Sequence, residues 1–251
     1  MTNPISPIMG IVSHALTAAI KPIIPTDPMP SIPNKGINID MSKDVIVLWV
    51  PGTSEHEVNE SFAFYTKKYW GDQAALSLVD YEASWRMKTS YADGVERLRA
   101  FLDHIRARIR PGQRVVIAGE SQGAMVIGEV MADPKYSKLI SRAVLLGHPG
   151  VSPHHYKGKN VLELNNPLDP TTFPWKVGHT EILTALEKLS TEDSSAIPML
   201  LKVIAKNPVF SLWLLILQAQ RVPALSESIL NTHDYRGEME HAVLWLRQIL
   251  K

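Results

Sequence analysis

The chain has 251 residues, long enough to bury a substantial core and suited to one α/β domain with an insertion or to two small domains. Its 26 Lys and Arg against 25 Asp and Glu leave a formal net charge of +1, which gives nucleic acid no footing as a partner. There is no cysteine, so disulfides, thiolate catalysis and cysteine-based metal sites are excluded. In chain order, the first 33 residues carry Pro4, Pro7, Pro22, Pro25, Pro28, Pro30 and Pro33 around an apolar run, Ile8–Ile20. No Lys or Arg precedes that run, as the positive start of a signal peptide would require, and it is too short to span a bilayer. Residues 1–40 therefore read as a Pro-rich arm that packs on the domain, with no signal peptide and no transmembrane segment.

The continuous apolar run Val45–Val50 reads as a strand buried on both faces and stopped by Pro51-Gly52. Residues 62–70 suit a short helix, and 75–81 the next strand. From Tyr91 to Arg110 apolar residues recur at three- and four-residue steps (Val95, Leu98, Leu102, Ile105, Ile109), an amphipathic helix closed by Pro111-Gly112. Strand-like Val115–Ala118 leads into Gly119-Glu120-Ser121-Gln122-Gly123, and a helical stretch, Ala124–Ala132, leaves it. Residues 141–146 and 161–165 are further strands, and 237–250 a final helix. Strands alternating with helices predict a three-layer α/β sandwich on a mostly parallel central sheet. The expected core is 41–170 together with 231–251. Between them no strand pattern is visible, and residues 171–230 read as a helical insertion. In it, Ser211–Leu217 is apolar all round, equally suited to a buried helix and to a lid or wall for a lipid-like substrate.

Gly-x-Ser-x-Gly between a strand and a helix is the setting of a nucleophile elbow, a tight strained turn that needs small neighbours and presents the serine hydroxyl above the sheet. A serine hydroxyl needs a base, and the base an orienting acid, which in this fold follow in the chain order Ser, acid, His. After Ser121, Asp169 lies in a loop beyond the last strand, held extended by Pro167 and Pro170; Asp193 and Asp234 are its rivals. Among nine histidines, His233 sits in a polar loop directly before the last helix, with His241 on that helix as runner-up. Two preorganised amides complete such a site. One is that of Gln122, the residue after the nucleophile. The other is placed on Thr53 in the loop Pro51-Gly52-Thr53-Ser54-Glu55, whose hydroxyl could add a further donor.

With those parts placed, the chain resembles the cutinase-like serine esterases and, within them, the lysin B group of actinobacterial phages, which are mycolylarabinogalactan esterases. The resemblance is carried by Ala118–Ala124, by the loop from Pro51 to Glu55, by Leu146-Gly147-His148-Pro149 and by His233-Asp234-Tyr235 running into Ala242–Ile249, and it covers Val45 to the end. The missing cysteines and the helical segment between acid and base favour lysin B over a fungal-type cutinase. The resemblance implies a cutinase-like α/β-hydrolase fold with Ser121, Asp169 and His233 as the triad and Thr53 and Gln122 as the oxyanion hole. No metal or cofactor is called for. It implies a lipid ester substrate, the mycolic acid–arabinogalactan ester of mycolyl-arabinogalactan-peptidoglycan, cut during phage lysis by an enzyme made in the host cytoplasm and acting on the envelope. Glu120 departs from the pattern, standing where the family commonly has Tyr. Competing readings are a lipase, a phospholipase or another cutinase-like esterase, including those of mycobacteria, and a non-catalytic module that keeps only the fold.

Overall fold

The computed structural model describes residues 36–84, 87–149, 158, 160–166, 172, 188, 195, 198–199, 202 and 234–250. Its elements are β1 (Val45–Val50), α1 (Glu60–Trp70), β2 (Ala74–Leu78), α2 (Met87–Arg106), β3 (Arg114–Glu120), α3 (Gln122–Met131), α4 (Pro134–Ser137), β4 (Arg142–Leu146), β5 (Val161–Leu164) and α5 (Met239–Arg247). The five strands pair in the order β2-β1-β3-β4-β5, and every pairing is parallel. A parallel sheet of this kind has both faces covered, which is why β1 is buried at all six positions.

Side chains alternate strictly between the two faces. Ile46, Leu48, Val50, Val115, Ile117, Ala143 and Leu145 join α2 and α3 in one core. Val45, Val47, Trp49, Val116, Ala118, Val144 and Leu146 join α1 and α5 in the other. Period-two alternation along a strand explains the split. On the second face Trp49 and Phe62 meet ring to ring at 4.7 Å, both fully buried. Burying a side chain such as Phe62 contributes about 2–3 kcal/mol relative to leaving it in water.

The ends of the elements show which local forces won. Asn59 caps α1 by accepting from the amides of Ser61 and Phe62, and Gly71 ends it with φ 53°. The α2 helix starts four residues before the expected Tyr91 and stops at Arg106 rather than Arg110. Its last turn is drawn off the helix, because Gln113 Oε1 accepts from the Arg110 amide at 3.1 Å and a residue before proline disfavours the α conformation. Strand β2 stops at Leu78, opposite Trp49, three residues short of expectation. Val79 still donates to Trp49 O at 2.8 Å, but Pro51 ends the partner ladder and Tyr81 turns inward. The short α4 escaped the periodicity reading although Asp133 accepts from the Lys135 amide as its N-cap and Pro134 takes the first turn.

The topology fixes where a site can form. From β1 the chain moves outward to β2, then returns to the other side of β1 to lay down β3. The direction of winding reverses between β1 and β3, and the loops leaving their carboxyl ends diverge there, one over each face. In open α/β sheets that divergence is the crevice in which ligands bind. The loop after β1 is Pro51–Glu55, and the residue after β3 is Ser121.

Candidate functional site

Ser121 joins β3 to α3 with φ 52° and ψ −115°, a left-handed conformation that a non-glycine residue holds at a cost of about 1–3 kcal/mol. Its amide donates to Leu146 O at 2.8 Å, so β4 fixes the turn from the side. Although Ser121 occupies the N-cap position of α3, its hydroxyl makes no capping bond. A serine at that position ordinarily spends its oxygen on the helix amides; here the strained backbone turns it elsewhere.

The glycines explain why the turn closes. A Cβ on Gly123 would sit 2.1 Å from Val50 O and 2.7 Å from Pro51 O, and one on Gly119 would meet Ile127 Cδ1 at 2.8 Å and Val50 O at 2.9 Å. The elbow thus passes directly against the end of β1. A Cβ on Gly52 would lie 3.4 Å from Ser121 Cβ, which puts the loop after β1 beside the candidate nucleophile. Helix α3 is buried along nearly its whole length and presents its amino end to the same place, where partial positive charge gathers.

The two amides expected to bind an oxyanion occupy these converging elements. Gln122 is the first residue of α3 and is fully buried. Thr53 lies in a loop pinned at most of its other polar groups. Gly52 donates to Glu55 Oε2 at 2.6 Å, Ser54 to Ala83 O at 2.7 Å and Glu55 to Gly52 O at 3.0 Å. Among the described residues, the Thr53 amide is the one N–H of 52–55 that donates to no protein acceptor.

Asp169 and His233 lie outside the described residues, as do Asp193, most of the arm 1–40 and most of the insertion 171–230, including 213–217. The segments that flank the expected acid and base are described, and they meet. The Asn166 amide donates to the Tyr235 hydroxyl at 3.0 Å, and Tyr235 is buried. Asn165 Oδ1 accepts from the His148 amide at 3.0 Å, tying the end of β5 to the fully buried His148 after β4. The strand that leads to Asp169 and the residues that follow His233 are therefore fastened to each other at the carboxyl edge of the sheet.

The rivals are occupied otherwise. Both carboxylate oxygens of Asp234 are taken by its neighbour but one, Arg236, at 2.9 and 2.5 Å, and that guanidinium holds Asp234 below the usual carboxylate range. His241 stands on the outer face of α5, 59% exposed, 3.7 Å from Glu238. Glu120, the half-buried last residue of β3, has an electrostatic partner that the sequence did not reveal. Arg236 is held in its charged form chiefly by Asp234, and Glu120 adds to that from the elbow side. Glu55, Tyr81, Ser90 and Tyr235 were not assigned roles from the sequence. Tyr81, Ser90 and Tyr235 are buried residues with polar tips, and Glu55 is half-buried; no local pattern in the sequence marks any of them.

A family model described as Alpha/beta hydrolase matches residues 68–161, from the end of α1 to the start of β5. The parallel sheet, the elbow at its switch point and this match define an α/β-hydrolase fold. Among solved structures the chain is similar to lysin B from mycobacteriophage D29 at 15% identity, with 74% of this chain and 91% of that one covered and a TM-score of 0.49. It is also similar to Trichoderma reesei cutinase in complex with a phosphonate inhibitor, at 17% identity over 78% and 93% of the two chains with a TM-score of 0.43. An acetylxylan esterase shares 12% identity over 64% of this chain and 99% of its own, with a TM-score of 0.44. Likenesses this loose decide nothing about chemistry. No curated protein matches the sequence.

Proposed function

We propose that this protein is a serine carboxylic-ester hydrolase acting on lipid esters. The observation that carries the reading is Ser121 itself: a non-glycine residue at φ 52° on the turn between β3 and α3, beside the loop after β1, with no capping role for its hydroxyl. Strain of this kind is retained where geometry serves chemistry. Ser121 Oγ attacks the ester carbonyl while His233 takes its proton, and Asp169 fixes the imidazole tautomer and stabilises the imidazolium. The carbonyl oxygen becomes an oxyanion held by the Thr53 and Gln122 amides, assisted by the amino end of α3. His233 then protonates the departing alcohol, leaving an acyl-enzyme. Water, deprotonated by the same histidine, attacks the acyl carbon and releases the acid and Ser121.

The absence of cysteine and the long segment between Asp169 and His233 support a lysin B-type substrate, the ester joining mycolic acid to arabinogalactan, and with it a role in phage lysis at the cell envelope. The tests are labelling by a fluorophosphonate probe, hydrolysis of p-nitrophenyl butyrate, and release of free fatty acid from purified mycolyl-arabinogalactan-peptidoglycan. Ser121→Ala abolishes all three. Esterase activity undiminished in that variant refutes the nucleophile; labelling and butyrate hydrolysis without fatty acid release from the envelope polymer refute the substrate and leave the esterase.

A further inference from the structure

A buried polar cluster lies directly beneath the elbow, in a region where apolar packing would be expected. Tyr81, Ser84 and Ser90 are each at most 4% exposed, and Gln122 is fully buried. Polar groups in such a place are costly unless each is satisfied, so a network that persists there holds its members in one arrangement. The Tyr81 hydroxyl donates to Pro51 O at 2.7 Å and forks toward Gln122 Oε1 at 3.3 Å. Ser90 Oγ lies 2.9 Å from the same Gln122 oxygen, donates also to Glu82 O and accepts from the Ser84 amide at 3.0 Å. Gln122 Nε2 donates to Ser84 O at 3.3 Å.

The consequence lies in what Pro51 and Gln122 are attached to. Pro51 O and Gly52 N belong to one rigid peptide unit. Tyr81 holds its oxygen and Glu55 Oε2 holds its N–H, so the plane leading into Gly52, the residue before Thr53, is fixed at both ends. The Ser54 amide is fixed by Ala83 O, two residues beyond Tyr81, so the segment carrying Tyr81 also grips the far side of Thr53. Gln122 is anchored through its side chain to that segment and to Ser90. The segment in turn is fastened to α2: Arg97 Nη2 and Nε reach Asp80 Oδ1 at 2.6 and 2.9 Å, in an ion pair whose side chains are 13% and 14% exposed. The Tyr81 ring is wedged from behind, since a Cβ on Gly94 would meet it at 2.9 Å.

We propose that Tyr81 is a positioning residue that sets the spacing between the two oxyanion amides, by joining the loop that carries Thr53 to the Gln122 side chain through one buried hydroxyl. The inference deepens the esterase reading and rests on it. Burial raises the Tyr81 phenol well above its ordinary range, with Glu55 and Asp93 adding, so it remains a donor at any working pH.

Tyr81→Phe keeps the ring and removes the bridge; Ser90→Ala removes the other hydroxyl on Gln122 Oε1. Each is assayed on p-nitrophenyl butyrate with active sites titrated by fluorophosphonate, so that loss of folded protein does not register as loss of rate. Tyr81→Phe lowers kcat per titrated site by about 10- to 100-fold, the scale of a small misplacement of catalytic groups, with KM held. The inhibition constant of a trifluoromethyl ketone, which forms an oxyanion on the nucleophile, rises by the same factor. The acid limb of the kcat/KM profile, which reports the base, does not move. Ser90→Ala shows the same split at smaller amplitude and serves where the tyrosine variant does not fold. Unchanged kcat per site in these variants, or a loss confined to KM, overturns the positioning role while the parent still reacts at Ser121. A parent that fails to react with the probe overturns the esterase reading itself.

Discussion

Replacing Gly123 with alanine tests how closely the elbow helix must approach the end of β1. The added Cβ falls 2.1 Å from Val50 O, about 0.9 Å inside the 3.0 Å that real Cβ atoms essentially never breach, and 2.7 Å from Pro51 O. Both obstructing atoms are backbone, Val50 is fully buried in the ladder, and neither can swing aside as a side chain would. Helix α3 must therefore retreat by most of an ångström. Overpacking of this kind costs about 1–3 kcal/mol, here toward the upper end, against about 0.5–1 kcal/mol gained from replacing glycine inside a helix. The net loss of about 2 kcal/mol lowers Tm by roughly 4–8 °C in a chain of this size. The retreat also draws the Gln122 amide away from Thr53, and a displacement of about 1 Å is worth on the order of 100-fold in rate. Thermal unfolding followed by circular dichroism and turnover of p-nitrophenyl butyrate read the two effects. Gly36→Ala, with nothing within 4 Å of the new Cβ, is the control and changes stability by less than about 0.5 kcal/mol. A Gly123→Ala protein that melts within about 2 °C of the parent and keeps its rate would show that the clearance is not what the glycine supplies.

Tyr235→Phe removes the hydroxyl that accepts from the Asn166 amide, leaving that half-buried N–H without this acceptor. Stability falls by about 1 kcal/mol and, in the proposed enzyme, kcat by severalfold, since the segments that carry the proposed acid and base lose this fastening; parent-like urea midpoints and rates would separate the two segments functionally. Alkaline stability follows from Tyr81, whose folded-state pKa lies above its unfolded value of about 10. Below that pH both states hold the proton and the contribution is complete; above it only the unfolded chain releases the proton, so stability drops by about 1.4 kcal/mol per pH unit from this group. Urea unfolding of the parent and Tyr81→Phe at a series of pH values reads the difference, and parallel curves would contradict the burial argument. Ser121→Gly relieves the left-handed strain that Ser121→Ala retains, and is the more stable of the two by about 1 kcal/mol once glycine's extra unfolded-state entropy is subtracted. Equal melting temperatures for the two would mean that the turn stores no strain.

What the sequence made legible was whatever has a period or a punctuation mark. Strand β1 was found to the residue because six apolar residues run straight into Pro51-Gly52, and the elbow because its two glycines bracket a serine between a strand and a helix. Strand β2 was overrun because Val79 and Tyr81 are as buried as strand residues while no longer part of a ladder, and burial is all that an apolar pattern encodes. The helix α2 begins before Tyr91 because Ser90 is a helix residue whose hydroxyl is committed to Gln122 and Glu82, contacts that carry no apolar period. Tyr81 and Glu55 were hidden for a related reason: their partners lie 41 positions away or on a backbone amide, and no local pattern records a contact of that kind. The elbow was placed from pattern; the bonds that hold its surroundings in place became visible only in three dimensions.

The two faces of the sheet close at different points along the chain. Among the described residues, the face that receives α2 and α3 draws on none later than Val161. The face that receives α1 stays open until α5 arrives, where Lys68 and Tyr69 meet Glu240 and Arg142 lies 4.4 Å from the Trp245 ring centroid. In the proposed enzyme, α5 directly follows the segment that bears the base. The proposed nucleophile is thus shaped by packing from early in the chain and armed by a segment that packs from late in it. In the proposed esterase, docking of the final helix is then the step that completes the triad.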